Sequence, residues 1–213
     1  MLLKIHPENP EQRKIKTVVE CLNNGGVIIY PTDTIYGLGC DIYNQKAVEK
    51  LCRIKGLDIE KATLSILCDN FSQLSDFTVP IDNMVFRVMK KALPGPFTFI
   101  LKANNKVPSR VLWMKKKKKT VAIRIPDHKV PLEIVKLLGN PIITTSLRDK
   151  DIEIVEVSEV ETDPAVIYEK YSKLVDIVID SGLGGIRPST IVDCSDNEFK
   201  ILRQGAGDLY QYL

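Results

Sequence analysis

Residues 28–39 read IIYPTDTIYGLG. A short apolar run closed by a proline gives way at once to two threonines, an aspartate, a tyrosine and two glycines. The pattern predicts a buried strand over 27–30, ended by Pro31, which has no N–H to give a ladder. Beyond it lies a turn rich in binding groups: Thr32 and Thr34 carry hydroxyls, Asp33 a carboxylate, and Gly37 and Gly39 permit close backbone approach or unusual torsions. Composition fits equally well a tight strand-to-loop junction with Tyr36 packed beneath it.

Working outward, helical spacing precedes this strand. Ile15, Val18, Val19 and Leu22 form one stripe over 11–22, and Asn23-Asn24-Gly25-Gly26 is a natural stop. Further helices are predicted over 44–54, 83–93, 131–138 and 164–174, the one over 83–93 ended by Pro94-Gly95-Pro96. Strands are predicted over 64–68, 97–101, 121–125, 141–145, 175–180, 189–193 and 199–203. The alternation of helices and strands, with no internal repeat and no low-complexity linker, predicts a single α/β domain over residues 1–213 with irregular connections. Periodicity leaves the strand order open.

The chain has 213 residues and a formal charge of +3, from 30 basic and 27 acidic residues. Lys115, Lys116, Lys117, Lys118 and Lys119 are consecutive, so the basic character is local. This run, preceded by Trp113-Met114, could touch a nucleic acid backbone; five adjacent like charges equally suit a solvated loop between strands. The apolar runs are too short to cross a bilayer and the N-terminus lacks the apolar core of a signal peptide, so the expectation is a cytoplasmic protein without a membrane partner. Cys21, Cys40, Cys52, Cys68 and Cys194 are scattered without metal-ligand spacing and fit small buried hydrophobes in a reduced compartment. With His6 and His128 as the histidines, no metal site is expected, and no serine, histidine and acid arrangement can be built.

Other loops carry groups that suit anions. Arg53 and Lys55 close the helix over 44–54, where a cation faces either a phosphate or simply the helix C-terminus. Arg124 lies inside the apolar strand of TVAIRIPDH, where a buried head needs an anion, either a substrate carboxylate or a protein acid. ITTSLRD (143–149) brings Ser146 and Arg148, SGLGGIRPST (181–190) brings Ser189, and ILRQGAG (201–207) brings Arg203. The glycine-rich stretch lacks the order of a P-loop or a dinucleotide fold. Small hydroxyls, glycines and arginines together favour binding a phosphorylated or carboxylated small molecule over general acid and base catalysis.

YPTDTIYGLGCD, the Lys55-Gly56 pair, LPGPFTFIL, TVAIRIPDH, PIITTS, RPSTIVD and ILRQGAG together resemble, in the same order, YrdC-type proteins, the threonylcarbamoyl-AMP synthases. The likeness runs from about Ile15 to Gly207. It implies a YrdC-like fold: a twisted, open mixed sheet curved around a large positively charged cavity. The activity implied is synthesis of threonylcarbamoyl-AMP and pyrophosphate from L-threonine, bicarbonate and ATP with Mg²⁺, for modification of adenosine 37 in tRNA. The partners implied are downstream threonylcarbamoyl transfer proteins and tRNA or double-stranded RNA. By the same resemblance, Thr32, Thr34, Tyr36 and Ser189 would line the threonine end and Arg124 would hold the threonine carboxylate with a two-pronged contact. Lys55, Ser146 and Arg203 would face the nucleotide, and Lys55 and Arg124 would carry the catalysis.

Three departures from the family pattern bear on activity. Leu57 stands where many members have an arginine, and Arg53, one turn earlier, could replace it. Arg148 stands where many have asparagine and could compensate for the lost cation. Cys68 stands where some members have a histidine. These departures keep two other readings open: an RNA-binding protein without catalysis, and adenylation of a different amino-acid-derived carbamate.

Overall fold

A computed structural model describes residues 1–58, 64–115, 118–147 and 161–213. Eleven strands form one mixed sheet. They are β1 (Leu2–Lys4), β2 (Ile28–Tyr30), β3 (Gly37–Asp41), β4 (Ser65–Leu67), β5 (Phe97–Lys102), β6 (Trp113–Lys115), β7 (Lys118–Arg124), β8 (Ile142–Ser146), β9 (Ile177–Asp180), β10 (Thr190–Asp193) and β11 (Lys200–Arg203). The order is β1-β9-β2-β3-β8-β4-β7-β5-β10-β11, with β6 paired to β7 off this path. The helices are α1 (Gln12–Asn23), α2 (Gln45–Ile54), α3 (Phe71–Ser75), α4 (Asn83–Ala92), α5 (Lys129–Leu138) and α6 (Pro164–Tyr171).

Strand alternation sends apolar residues to both faces. Ile29, Ile66, Ile123 and Ile143 join the buried stripes of α2, α4 and α6, including Val48, Leu51, Val85, Met89 and Ile167. Their neighbours Ile28, Tyr30, Leu67 and Ile142 point the other way and pack with Ile15, Val18, Leu22, Ile134 and Val135 of α1 and α5. The α1–α5 pair covers that second face over β9, β2 and β8. Further along the sheet the same parity carries Ser65, Arg124 and Thr98, with Ile191 beside them, and there the face opens into a cavity.

The structure adds elements that periodicity did not reveal. Gly37–Asp41 is a strand, pairing antiparallel with both β2 and β8, where the sequence suggested a glycine turn. Neither Gly37 nor Gly39 has a positive φ. Their role is clearance: a Cβ would meet the Tyr30 ring at 2.8 Å on Gly37 and 2.9 Å on Gly39. Of the lysine run, Lys115 on β6 and Lys118 and Lys119 on β7 lie on paired antiparallel strands, with Lys115 opposite Lys118 and Met114 opposite Lys119. Lys116 and Lys117 lie outside the described residues.

Candidate active site

The cavity holds about 250 Å³ and is lined by residues from seven strands and the segments that adjoin them. Its floor follows from register. Gly37 sits opposite Ser146, and Ser65 opposite Thr144. Ile191 sits opposite both Thr98 and Arg203. Among the described residues, the charged ones of its wall are Lys55, Arg124 and Arg203, and no aspartate or glutamate lines it. Three cations over a floor of threonines and serines make a receptor for an anion.

Lys55 is placed by the end of α2. Gly56 takes φ +57, and the Leu57 N–H reaches back to the Cys52 carbonyl at 2.8 Å, a Schellman closure that turns the chain sharply. Lys55 and Leu57 thereby both reach the cavity wall. Arg53 is exposed and lies outside the lining. Leu57 thus places an aliphatic group beside Lys55 on the cavity wall.

Arg124 ends β7 with its head buried. Its Nη2 donates to Asp33 Oδ1 at 2.6 Å, both side chains being 10% exposed, and Nη1 and Nη2 each donate to Thr34 Oγ1 at 3.2 Å. The buried arginine therefore has a protein acid as partner. Thr32 turns inward: its hydroxyl donates to the Ile35 carbonyl and accepts from the Thr34 N–H, so it braces the turn without lining the cavity. Tyr36 lines the cavity and donates to the Gly182 carbonyl at 2.8 Å; burial pushes its phenol up to about 12, so it remains a donor.

On the far wall, Ser189 and Thr98 share a hydroxyl contact of 2.8 Å, and Arg203 donates to the Ser189 carbonyl. Ser146, the last residue of β8, also lines the cavity. One space therefore gathers Thr34, Tyr36, Lys55, Arg124, Ser146, Ser189 and Arg203, while Thr32 and Arg53 stay outside it. Arg148 lies outside the described residues. Thr144 and Thr145 of the ITTSLRD stretch line the space as well, whereas Thr98 and Ser65 line it but escaped sequence reading, because a lone hydroxyl within a strand carries no signal until register places it. Among the described residues no carboxylate lines the cavity, and Mg²⁺ entering with the phosphates of a nucleotide would be held by those phosphates. Among the described residues, no group of three potential metal ligands occurs and no helix is long and apolar enough to cross a membrane. None of the five cysteines forms a disulfide.

Comparison with known proteins gives this geometry a family. YciO of Escherichia coli (strain K12), described as uncharacterized, is 39% identical over 209 residues, 98% of this chain and 97% of that protein. Its crystal structure superposes with a TM-score of 0.88 at 38% identity, over 100% of this chain and 99% of the other. The threonylcarbamoyl-AMP synthase of Pseudoalteromonas translucida (strain TAC 125) is 29% identical over 194 residues, 88% of this chain and 97% of that protein. The crystal structure of P. abyssi Sua5 complexed with L-threonine gives a TM-score of 0.85 at 26% identity, over 99% of this chain and 59% of the other. The family model for Sua5, YciO and YrdC, described as "Telomere recombination", matches residues 20–205. The chain belongs to the Sua5/YciO/YrdC family.

Proposed function

We propose that the protein is an adenylate-forming enzyme that joins an amino-acid-derived carbamate to AMP, with MgATP as co-substrate and pyrophosphate as leaving group. The observation that carries this reading is the set Lys55, Arg124 and Arg203 around one hydroxyl-floored cavity that, among the described residues, no acid lines. An amine adds to CO₂ or bicarbonate, and an oxygen of the resulting carbamate attacks the α-phosphorus of ATP as pyrophosphate departs. Lys55 and Arg203 would stabilise charge on the phosphates, and Ser146 would donate to a phosphoryl oxygen. The walls would keep the labile carbamate in line for attack. A threonylcarbamoyl-AMP synthase and a structure holding L-threonine among its relatives make L-threonine the first amino acid to test. The greater similarity to YciO favours an amino acid other than L-threonine.

The test is pyrophosphate release by the full chain supplied with MgATP, bicarbonate and each L-amino acid in turn. Release that depends on one amino acid supports the reading and names the substrate, and Lys55→Ala or Arg203→Ala should lower it at least about tenfold. With L-threonine as that amino acid, the product would be the donor for adenosine 37 of tRNA. No release with any amino acid, alongside tRNA binding that weakens steeply with salt, would replace the reading with RNA binding without catalysis.

A further inference from the structure

We infer that Asp33 and Thr34 occupy both two-pronged edges of Arg124, so that a ligand meets this arginine through a single N–H and Asp33 serves as its positioning residue. A guanidinium offers five N–H groups and two forked edges, an end-on edge of Nη1 with Nη2 and a side-on edge of Nε with Nη2. Both edges need Nη2. Its two protons are already used, by Asp33 Oδ1 at 2.6 Å and Thr34 Oγ1 at 3.2 Å. Thr34 Oγ1 also accepts from Nη1 at 3.2 Å, which closes the end-on edge. On the side-on edge Nε is buried without an acceptor, as is Asp33 Oδ2. What remains for a ligand is the second proton of Nη1, at the cavity wall.

Counting protons shows that the turn is saturated too. The Thr32 hydroxyl has one proton, which goes to the Ile35 carbonyl at 2.8 Å. Its 3.0 Å contact with Thr34 Oγ1 is therefore a bond that Thr34 donates. Thr34 then has its proton on Thr32 and its lone pairs on Arg124, and none of its hydrogen-bonding capacity is left for a ligand.

The turn is also pinned from behind, which keeps Asp33 in place. The Gly185 N–H donates to the Thr34 carbonyl at 2.7 Å, Tyr36 donates to Gly182, and the Leu147 N–H donates to the Tyr36 carbonyl at 3.1 Å. A carboxylate arriving in the cavity would have to displace a neighbouring protein carboxylate held by the backbone, and one binding without displacement finds a charge-compensated arginine. This differs from the two-pronged grip on a substrate carboxylate that the sequence suggested: one carboxylate oxygen can dock here, and the other must be read by a different group.

The test uses the full chain, its Asp33→Ala variant and formate as a bare carboxylate. At about 100 mM, sodium formate should raise the melting temperature of Asp33→Ala by about 3 °C beyond sodium chloride at equal ionic strength, and the parent by under about 1 °C, because only the variant has a vacant edge. Equal responses overturn the inference. A second measurement needs no Asp33 variant. In the ligand-free parent the Nη protons of Arg124, assigned by their loss in Arg124→Lys, should give separate NMR signals from a guanidinium held on two sides; one averaged signal overturns the inference. A third arm rests on the proposed activity: Asp33→Ala should raise the amino-acid KM at least about tenfold, leave the ATP KM within about twofold, and recover in formate. A parent without pyrophosphate release sinks the proposed activity, while the formate and NMR arms still decide the role of Asp33.

Discussion

Arg203, on the last strand, donates through Nε and Nη2 to the main-chain carbonyl of Ser189, at 3.2 and 2.7 Å. The contact ties β11 to the residue just before β10 and fixes the guanidinium at the cavity wall. Arg203→Lys keeps the charge but loses the fork. The expected cost is about 1 kcal/mol, or a fall of about 2–4 °C in Tm for a chain of this size. Calorimetry should then show ATP affinity falling by more than the stability loss explains, and unchanged ATP affinity would contradict a nucleotide role for this side chain.

Two glycines separate backbone strain from site geometry. Gly139 closes α5 at φ +82 with open space where a Cβ would stand, so Gly139→Ala should cost about 1 kcal/mol in urea unfolding and leave ligand binding alone. A Cβ on Gly185 would stand 2.5 Å from the Thr34 carbonyl oxygen. Gly185→Ala should cost about 1–3 kcal/mol and also displace the turn that holds Arg124, so ligand affinity should fall with stability. Equal behaviour of the two variants would show that the glycine loop does not brace the site.

His128 caps α5, its Nδ1 accepting from the Val130 N–H at 3.3 Å. Burial lowers its pKa below the usual 6.5, with Asp33, Glu8 and Asp127 pulling the other way. The folded state therefore prefers the neutral ring. Its contribution is fully present above pH about 6.5 and is lost as the pH falls from there through the depressed folded value. Melting temperature should drop over that interval in the parent, and His128→Asn, which retains a capping oxygen, should flatten that part of the profile.

Asp176 joins three elements: its Oδ2 accepts from the Val27 N–H and from Lys50 Nζ, each at 2.7 Å. Partial burial raises its pKa, but these two bonds outweigh it and the carboxyl titrates below its ordinary value. Its stabilisation is thus present above pH about 4 and disappears as acid protonates it through the folded value. Asp176→Ala should cost about 1–3 kcal/mol by stranding the buried Val27 N–H, and Asp176→Asn distinctly less, since an amide oxygen still accepts. Chemical unfolding at pH 7 separates the two.

Much of the architecture was legible in the chain. The stripes Ile15/Val18/Val19/Leu22 and Val85/Val88/Met89/Ala92 are the buried faces of α1 and α4, because helical periodicity survives wherever one face meets a sheet. The third strand was not legible, since Gly37-Leu38-Gly39 is poor in strand formers and owes its conformation to pairing with β2 and β8 and to the Tyr30 ring lying across it. The candidate site divides in the same way. Lys55, Arg124, Ser146, Ser189 and Arg203 stand out locally as polar groups at strand or helix ends, and they do meet. The inward turn of Thr32 and the Asp33–Arg124 pair depend on side-chain directions and on residues 91 positions apart, which no local pattern encodes.

The cavity floor draws on β3, β4, β5, β7, β8, β10 and β11, strands spread from Gly37 to Arg203 along the chain. No fragment or early folding intermediate can hold it, because its two sides are assembled from opposite ends of the polypeptide. Ligand capture by this protein is therefore a reporter of complete assembly, and a nascent chain acquires it only after its last strand has docked.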